Sequence, residues 1–514
     1  MSSKNQLTFQ ETDEADNLTA TYVYSEQDPI STQRGRIGGR VDVVTPGSTS
    51  SWSTKPITAS LSDVFLPSGY PHSVTEDYMP YQIYDSLQAF SSSIAGLLSS
   101  RAVLQGVGVG NANASPTSAL LLHILQDSSG RVATILFAHR VGTALEPECK
   151  TYRLAADVFN DIAMVLDCLS PMVPAGFMRV TILSTAGILR ALCGVAGGSS
   201  KASLSAHFAK GGNLAELNAK DSSQETIISL FGMLVGSVVV SRVHSFVLTW
   251  ASLLTLLAIH LSMNYCAVRA VQMTSLNRQR ATIAFATILE SDTNLASDLN
   301  LHANLSAQPQ PQLPPQPQQA QNKSTNKSFK VPTPAQISKL ERIFPKPSTM
   351  KWNTQVIGTA EIGVSLSTFL RHAHVRACSS RASEVGTLTA RIAVPITQLS
   401  TLFASESYML FLFARGKGEW HASILVKRGC GSEGMLKSWM HALLAAKVLS
   451  RADIVRDSDG DVSSLVFNAV EHTLEVLNRH TRFADYLAAM SGVGWDVGIA
   501  ALETRARRRI GRLD

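Results

Sequence analysis

Formal charge is the property that this sequence lacks most. Asp, Glu, Lys and Arg make up 16% of its 514 residues, whereas about a quarter is usual for soluble domains. The scarcity is greatest from Thr226 to Val268, where Arg242 carries the single formal charge. Glu225 and Arg242 are separated by 16 uncharged residues, and Arg242 and Arg269 by 26. Since a helix crosses a hydrocarbon core with about 20 apolar residues, this stretch predicts two membrane helices or the buried core of a large helical domain.

Cysteine pairs and targeting signals are also lacking. The six cysteines form no CxxC pair, which argues against zinc and redox motifs and favours a reducing compartment. The first 16 residues contain Lys4 and four acidic residues but no apolar run. We therefore expect neither a secretory signal nor a transit peptide, and membrane insertion would depend on an internal segment.

No motif of catalysis, phosphate binding or nucleic-acid binding is found. Gly106, Gly108 and Gly110 have the spacing GxGxG rather than the GxGxxG of dinucleotide sites. GxSxG, HExxH and Cys/His signatures are missing as well. The net charge of +6 is too small and too dispersed to indicate nucleic acid. We expect no enzymatic activity, no cofactor, no metal site and no nucleic-acid partner.

The predicted fold is mainly α, a helical membrane-associated domain followed by a smaller α+β C-terminal domain. The predicted segments are 1–56, irregular apart from short strands at 22–24 and 41–44; 57–300, the helical domain; 301–330, a Pro/Gln-rich linker; and 331–514, the α+β domain. In the last segment, the sequence predicts strands at 391–394, 408–413 and 422–426 and helices at 436–449 and 465–479.

Within the helical domain, Ser222 and Glu225 form a capping-box pattern that predicts a helix start near residue 222. A helix over 78–100 would place its apolar residues on one face, among them Tyr81, Leu87 and Ile94.

In a membrane, 226–241 and 243–268 would form a hairpin that turns near Arg242. Gly232 and Gly236 have the GxxxG spacing that permits close helix contact. Further spans are predicted at 119–138 and at 180–195, which contains Arg190. Five cations flank the outer ends of the two hairpin helices and predict that these ends face the cytosol. They are Lys210, Lys220, Arg269, Arg278 and Arg280.

Candidate ligand residues come from several helices. Asp157 and Asp161 lie one helical turn apart, and Arg153 precedes Asp157 by four residues, so the group is either an ion ladder or a polar site facing a cavity. His244 and His260 have no acidic neighbour in sequence and are interpreted as hydrogen-bonded neutral residues or as proton-carrying ones. Lys210, beside Asn213, is the first candidate to bind an anion, the alternative being a solvated lysine. The full candidate set is Tyr81, Gln82, Asp85, Asp157, Asp161, Lys210, Asn213 and Lys220. An enzyme would have to assemble its site from these residues, and their clustering would favour that hypothesis.

A series of short motifs resembles the root UVB sensitive (RUS) family over about residues 57–275. The first are 65–74 (FLPSGYPHSV) and 77–82 (DYMPYQ), with Asp85 and 87–88 (LQ) following. The others, in order, are 106–110 (GVGVG), Asp127 with Gly130 and 135–138 (ILFA), Lys150, Arg153, 156–157 (AD), Asp161, 207–214 (HFAKGGNL) and 219–220 (AK); at the C-terminal end, 486–487 (YL) and 494–496 (GWD) are similar to the family's last helix.

The resemblance implies a membrane-associated protein with one or more spans. Plant members are tied to UVB sensing in roots, seedling development, auxin transport and vitamin B6 homeostasis, and no catalytic residue is established for the family. Two functions follow as hypotheses. The first is a non-enzymatic scaffold or carrier in an intracellular membrane, with the membrane and an oligomer of this chain or of family members as partners. The alternative is a soluble or peripheral regulatory protein that binds a small ligand such as a vitamin B6 form. A belt of exposed apolar surface along 226–268 would favour the first, and full burial the second.

Overall fold

The chain divides into two compact units, residues 1–134 with 153–271 and residues 135–152 with 272–514. The computed structural model describes residues 6–12, 18–26, 39–44, 64–106, 108, 116–210, 212–303, 329–372, 394, 396–415, 418–451, 459–505 and 508–511. Most of the predicted linker at 301–330 lies outside the described residues, as do most of the glycine-rich segment at 106–110 and of the strand predicted at 391–394.

The N-terminal part of the first unit is a three-stranded antiparallel sheet. It consists of β1 (Gln6–Thr12), β2 (Leu18–Glu26) and β3 (Gly39–Val44), in that order. Tyr22 pairs with Phe9 on one side and Val43 on the other. The sequence predicts an irregular segment here, apart from short strands at 22–24 and 41–44. These two predicted strands lie within β2 and β3. The frequent Thr and Val residues have the β-branched side chains that favour extended backbone.

The helical part of the chain contains six long helices, which are α1 (Tyr78–Gly106), α2 (Pro116–Leu145), α3 (Cys149–Leu169), α4 (Phe177–Phe208), α5 (Leu214–Arg242) and α6 (Phe246–Ala270). α2 and α3 each contribute residues to both units, with boundaries at Thr134 and Arg153. The predicted mainly α fold is confirmed.

The helix start predicted near residue 222 is wrong. α5 begins at Leu214, with Asn213 as the N-cap residue. Glu225 does not reach back to cap the helix, because its carboxylate pairs with Lys201 at 2.7 Å. Ser222 lies inside the helix and its carbonyl accepts a hydrogen bond from Thr226 Oγ1. The capping-box pattern is therefore an interior stretch of a longer helix.

α5 and α6 both pack against α1, which is the main partner of each. The chain turns between Arg242 and Phe246, as predicted, and Ser245 caps α6 by accepting from the backbone N–H of Leu248. The predicted close contact at the two glycines is also confirmed. A Cβ on Gly232 would stand 2.6 Å from Ser93 Cβ, and one on Gly236 would stand 2.7 Å from a methyl carbon of Leu97. The partner at this contact is α1, whereas the sequence predicted a hairpin of α5 with α6.

The buried face of α1 differs from the predicted one. Gln82, Asp85 and Gln88 are buried, while Ile83 and Leu87 are exposed. Tyr81 and Ile94 are buried as predicted. Hydrophobic periodicity does not find this face because its partner is charged, since Arg153 binds both Asp85 and Gln88.

The second unit has a mixed sheet covered by helices. Its strands are β5 (Thr349–Trp352), β6 (Gln355–Ile362), β7 (Tyr408–Ala414) and β8 (Trp420–Val426), in the order β5-β6-β8-β7. A separate parallel pair joins β4 (Ser275–Asn277) to β9 (Asp496–Ala501). The helices are α7 (Arg278–Ser291), α8 (Thr293–Ala303), α9 (Pro334–Leu340), α10 (Leu366–His372), α11 (Ile396–Leu402), α12 (Ser432–Arg451), α13 (Asp459–Asn478) and α14 (Arg482–Gly492).

The core of the second unit is apolar and centred on α12. Trp439 is fully buried and donates its indole N–H to Thr282 Oγ1 at 3.0 Å. Tyr408 and Phe285 are also fully buried in the same core. β7 and β8 correspond to the strands predicted at 408–413 and 422–426. α12 and α13 correspond to the helices predicted at 436–449 and 465–479. The second unit also contains residues 272–303, most of which the sequence predicts to belong to the helical domain at 57–300.

Candidate functional site

The outer surface of the helical part is apolar. Of the residues that the structure describes, three helices are long and apolar enough to cross a membrane, namely α4, α5 and α6. Only 11% to 17% of the most apolar window of each helix is buried. The exposed fraction is 85% for Phe177, 75% for Val247 and 57% for Leu234. The predicted span at 180–195 lies in α4, whereas the one predicted at 119–138 lies in α2, outside these three helices.

The interior of the same bundle holds charged side chains, centred on Arg153. Its guanidinium Nη2 lies 2.7 Å from Asp85 Oδ1, and its Nη1 lies 3.1 Å from Asp157 Oδ1. It also donates to Gln88 Oε1 at 2.9 Å and to the Tyr81 hydroxyl at 3.4 Å. All five residues are buried. The predicted neutralisation of Asp157 by Arg153 is confirmed, and the guanidinium binds two carboxylates, one from α1 and one from α3.

His260 and Asn264 of α6 extend this group. His260 Nδ1 lies 2.7 Å from Asp161 Oδ1, and its Nε2 lies 3.7 Å from Asp157 Oδ2. Asn264 donates its amide N–H to Asp157. We call the eight residues the Arg153 cluster: Tyr81, Asp85, Gln88, Arg153, Asp157, Asp161, His260 and Asn264. His260 therefore has two acidic partners, which the sequence did not reveal because they lie about a hundred residues earlier. His244, by contrast, is exposed.

The Arg153 cluster has an excess of negative charge. Three carboxylates, those of Asp85, Asp157 and Asp161, face one guanidinium and one imidazole. Burial raises the pKa of Asp161, although the neighbouring His260 opposes that shift. Burial by itself would lower the pKa of Arg153, but Asp157, Tyr81 and Asp85 raise it well above its ordinary value. Arg153 thus stays charged.

Two further ion pairs join helices of the bundle, each between a buried carboxylate and a partly exposed cation. Lys201 pairs with Asp221 at 2.8 Å, and Asp221 also accepts from Gln82 Nε2 at 2.8 Å. Arg190, which the sequence places in an apolar helix, forms an ion pair with the buried Asp167. A small cavity of about 10 Å³ lies beside Lys201 and Gln82, which is room for about one water molecule.

The structure brings together four of the eight predicted ligand residues, Tyr81, Asp85, Asp157 and Asp161. Gln82 is buried next to Tyr81 but donates to Asp221 instead. The remaining three lie elsewhere. Lys210 is exposed, and its backbone N–H donates to Ser73 O at 3.1 Å. Asn213 donates its side-chain amide to the same carbonyl at 3.1 Å. Lys220 is half-buried on α5.

Gln88 and Asn264 are not among the ligand residues predicted from the sequence, and no partner is predicted for His260. One signal for them exists. His260 and Asn264 are polar residues one turn apart in an otherwise uncharged helix, and Gln82, Asp85 and Gln88 recur at intervals of three on α1. Polar residues on one face of an apolar helix indicate a polar interior.

Comparison with known proteins supports the resemblance found in the sequence. Residues 51–292 match the family described as the vitamin B6 photo-protection and homoeostasis domain. Over 229 residues the chain is 44% identical to RUS family member 1 of Dictyostelium discoideum, which covers 44% of this chain and 43% of that protein. We call residues 51–292, the region that is similar to these proteins, the RUS domain. The chain is also 37% identical to protein root UVB sensitive 3 of Arabidopsis thaliana over 228 residues, or 44% of this chain and 51% of that protein.

A third relative is a chloroplast protein by its name. Protein root UVB sensitive 2, chloroplastic, of Arabidopsis thaliana is 29% identical over 235 residues, or 45% of this chain and 53% of that protein. The matched region thus spans about half the length of these curated relatives. No solved structure matches the chain. Every member of the Arg153 cluster lies inside the matched RUS domain, between Tyr81 and Asn264.

Proposed function

We propose that the RUS domain is a non-enzymatic, membrane-embedded carrier for a small polar solute. The observation that carries this proposal is the Arg153 cluster, a charged interior inside a bundle with an apolar outer face. Ionisable groups inside membrane bundles are costly to bury and usually mark the path of a solute or proton. A scaffold without transport is the second candidate, and it would need no such interior.

The soluble alternative is less well supported by the exposed side chains of α5 and α6. It requires 226–268 to be the buried core of a domain. Leu230, Leu234 and Val238 are instead more than half exposed, and they form a stripe at four-residue spacing along α5. An apolar stripe of this kind, repeated on neighbouring helices, suits lipid better than water.

The charge of the cluster narrows the class of solute. A site with an excess of carboxylates repels phosphate, so an anionic cargo is disfavoured. The family description names vitamin B6, and its unphosphorylated forms satisfy this condition. We propose such a form as cargo, and not a phosphorylated one bound at Lys210.

An enzyme is less well supported, although four of the candidate residues, Tyr81, Asp85, Asp157 and Asp161, do cluster. The adjacent cavity of about 10 Å³ has no room for a substrate. A carrier is compatible with a closed interior because alternating access opens the site in other conformations.

Membrane embedding is tested by placing charge on the apolar stripe. We expect the parent protein to stay in the pellet after alkaline carbonate extraction of membranes. The triple variant Leu230→Lys, Leu234→Lys, Val238→Lys should be released or lost, because a lysine at the centre of a membrane helix costs about 2.5–3.5 kcal/mol. Extraction followed by immunoblotting measures both.

The matched control places three lysines at exposed positions near the start of the same helix, Ala215→Lys, Asn218→Lys and Ser222→Lys. This variant should remain in the pellet. Release of the parent protein by carbonate would contradict membrane embedding and favour the soluble alternative.

Carrier function is tested with radiolabelled pyridoxine and protein reconstituted into liposomes. The parent should take up pyridoxine saturably and faster than protein-free liposomes. Asp161→Asn should reduce uptake about tenfold or more, since an interaction of about 1.4 kcal/mol changes an equilibrium tenfold. Asp127→Asn is the control, because Asp127 is an exposed carboxylate paired with Arg131 on α2. Uptake equal to that of protein-free liposomes would reject the pyridoxine carrier and leave the scaffold.

A further inference from the structure

The second unit contains a cavity of about 660 Å³, which the proposed carrier does not use. It lies between the first turns of α7 and the segment from Leu340 to Thr354. Its volume falls within the range of about 300–1,000 Å³ that is typical of small-molecule sites.

The lining of this cavity is strongly basic. Arg278, Arg342, Lys346 and Lys351 line it, and Glu148 is the single acidic residue among the lining side chains. Arg278 is fixed by its contacts with Glu148 at 3.1 Å and Ser348 Oγ at 3.0 Å. Since Arg278 begins α7, the positive end of that helix dipole adds to the field. Such a basic lining is suited to an anion with more than one charge.

The lining also includes apolar side chains. They are Ile283, Ala286, Leu340 and Phe344. Leu340 and Phe344 remain more than half exposed, so this apolar surface is open to a ligand. An aromatic ring or another flat apolar group would bury it.

The strand beside the cavity is bounded by two left-handed residues. Ser348 and Asn353, which flank β5, have positive φ values of 57° and 53°. Asn353 lies in the two-residue turn between Trp352 and Gln355, where hairpins commonly require a positive φ. Here they set the course of the strand that contributes Lys351.

We propose that this cavity binds a small aromatic phosphomonoester. The basic side chains and the Ser348 hydroxyl would bind the phosphate dianion, and Phe344 and Ile283 would contact the ring. Arginine suits this role because its planar guanidinium can donate two hydrogen bonds to one phosphate. A lipid phosphate has the same charged group, but its acyl chains exceed a cavity of this size, so we assign a free, water-soluble ligand.

The test uses the full-length protein in detergent micelles and isothermal titration calorimetry with phenyl phosphate. Phenyl phosphate should bind, whereas phenol, which lacks the phosphate, should give no measurable heat. The double variant Arg342→Gln, Lys346→Gln should weaken phenyl phosphate binding at least about tenfold. The matched control Arg371→Gln, Lys330→Gln, at exposed positions outside the cavity lining, should bind as the parent does.

Two further comparisons separate the parts of the proposal. Phe344→Ala should weaken phenyl phosphate binding several-fold and leave inorganic phosphate binding unchanged. Dioctanoyl phosphatidic acid should compete poorly with phenyl phosphate. Equal affinity of the double variant and its control, equal binding of phenol and phenyl phosphate, no effect of Phe344→Ala on phenyl phosphate, or tighter binding of the lipid would each overturn the assignment.

Discussion

Replacing Arg153 by Met is expected to lower the free energy of unfolding by about 3–5 kcal/mol, the usual cost of removing one partner of a buried ion pair. Met has a similar length but no charge, so the carboxylates of Asp85 and Asp157 would remain buried without their shared cation. Denaturant unfolding of the detergent-solubilised protein, followed by circular dichroism, measures the change.

The control for Arg153 is Arg131, which also pairs with an aspartate four residues away. The side chains of Arg131 and Asp127 are 80% and 59% exposed, so Arg131→Met should change the unfolding free energy by no more than about 0.5 kcal/mol. Arg153→Lys should restore part of the loss, because it keeps the charge but not the planar guanidinium. Similar effects of Arg153→Met and Arg131→Met would show that the cluster contributes no more than a surface pair.

The second large effect is expected at Glu341 in the second unit. Its two carboxylate oxygens lie 2.7 Å from Lys150 Nζ and 2.7 Å from Arg280 Nη1. All three residues are buried. Glu341→Gln should lower the free energy of unfolding by about 3–5 kcal/mol at neutral pH, because two buried cations would then lose the carboxylate that they share. The sequence predicted Arg278 and Arg280 to be cations that flank the outer ends of the membrane helices. Arg280 is instead paired with Glu341, and Arg278 with Glu148.

The effect of Glu341→Gln should depend on pH. Burial by itself would raise the pKa of Glu341, but Arg280 and Lys150 lower it below its usual value. A carboxyl group with a lowered pKa in the folded state stabilises the protein fully above the unfolded pKa of about 4.3. That contribution is lost as the pH falls through the lowered folded pKa.

Denaturant unfolding at a series of pH values tests this dependence. The difference between the parent and Glu341→Gln should be largest near neutral pH and shrink below about pH 4. Glu475→Gln is the control, because Glu475 is exposed and pairs with Arg479 one turn away. A difference that stays constant down to acid pH would contradict the role of the Glu341 charge.

The sequence by itself determined the elements that depend on neighbouring residues. The lengths of the uncharged stretches predict α5 and α6 because hydropathy and helix length are read along the chain. The glycine spacing at Gly232 and Gly236 predicts a close contact because only a residue without Cβ permits that approach. The same holds for β7, β8, α12 and α13, and for the ordered motifs of the RUS domain.

Only the tertiary structure decided which faces and which charges meet. The capping pattern at Ser222 does not begin the helix, because the Glu225 carboxylate that the cap requires is paired with Lys201 of another helix. Leu87 faces outward and Gln88 inward because Arg153 of α3 binds Gln88, and the position of that partner follows from packing between the helices. His260 joins Asp161 across about a hundred residues of chain. Such pairs form by packing between distant segments, so their positions follow from the fold and not from local spacing.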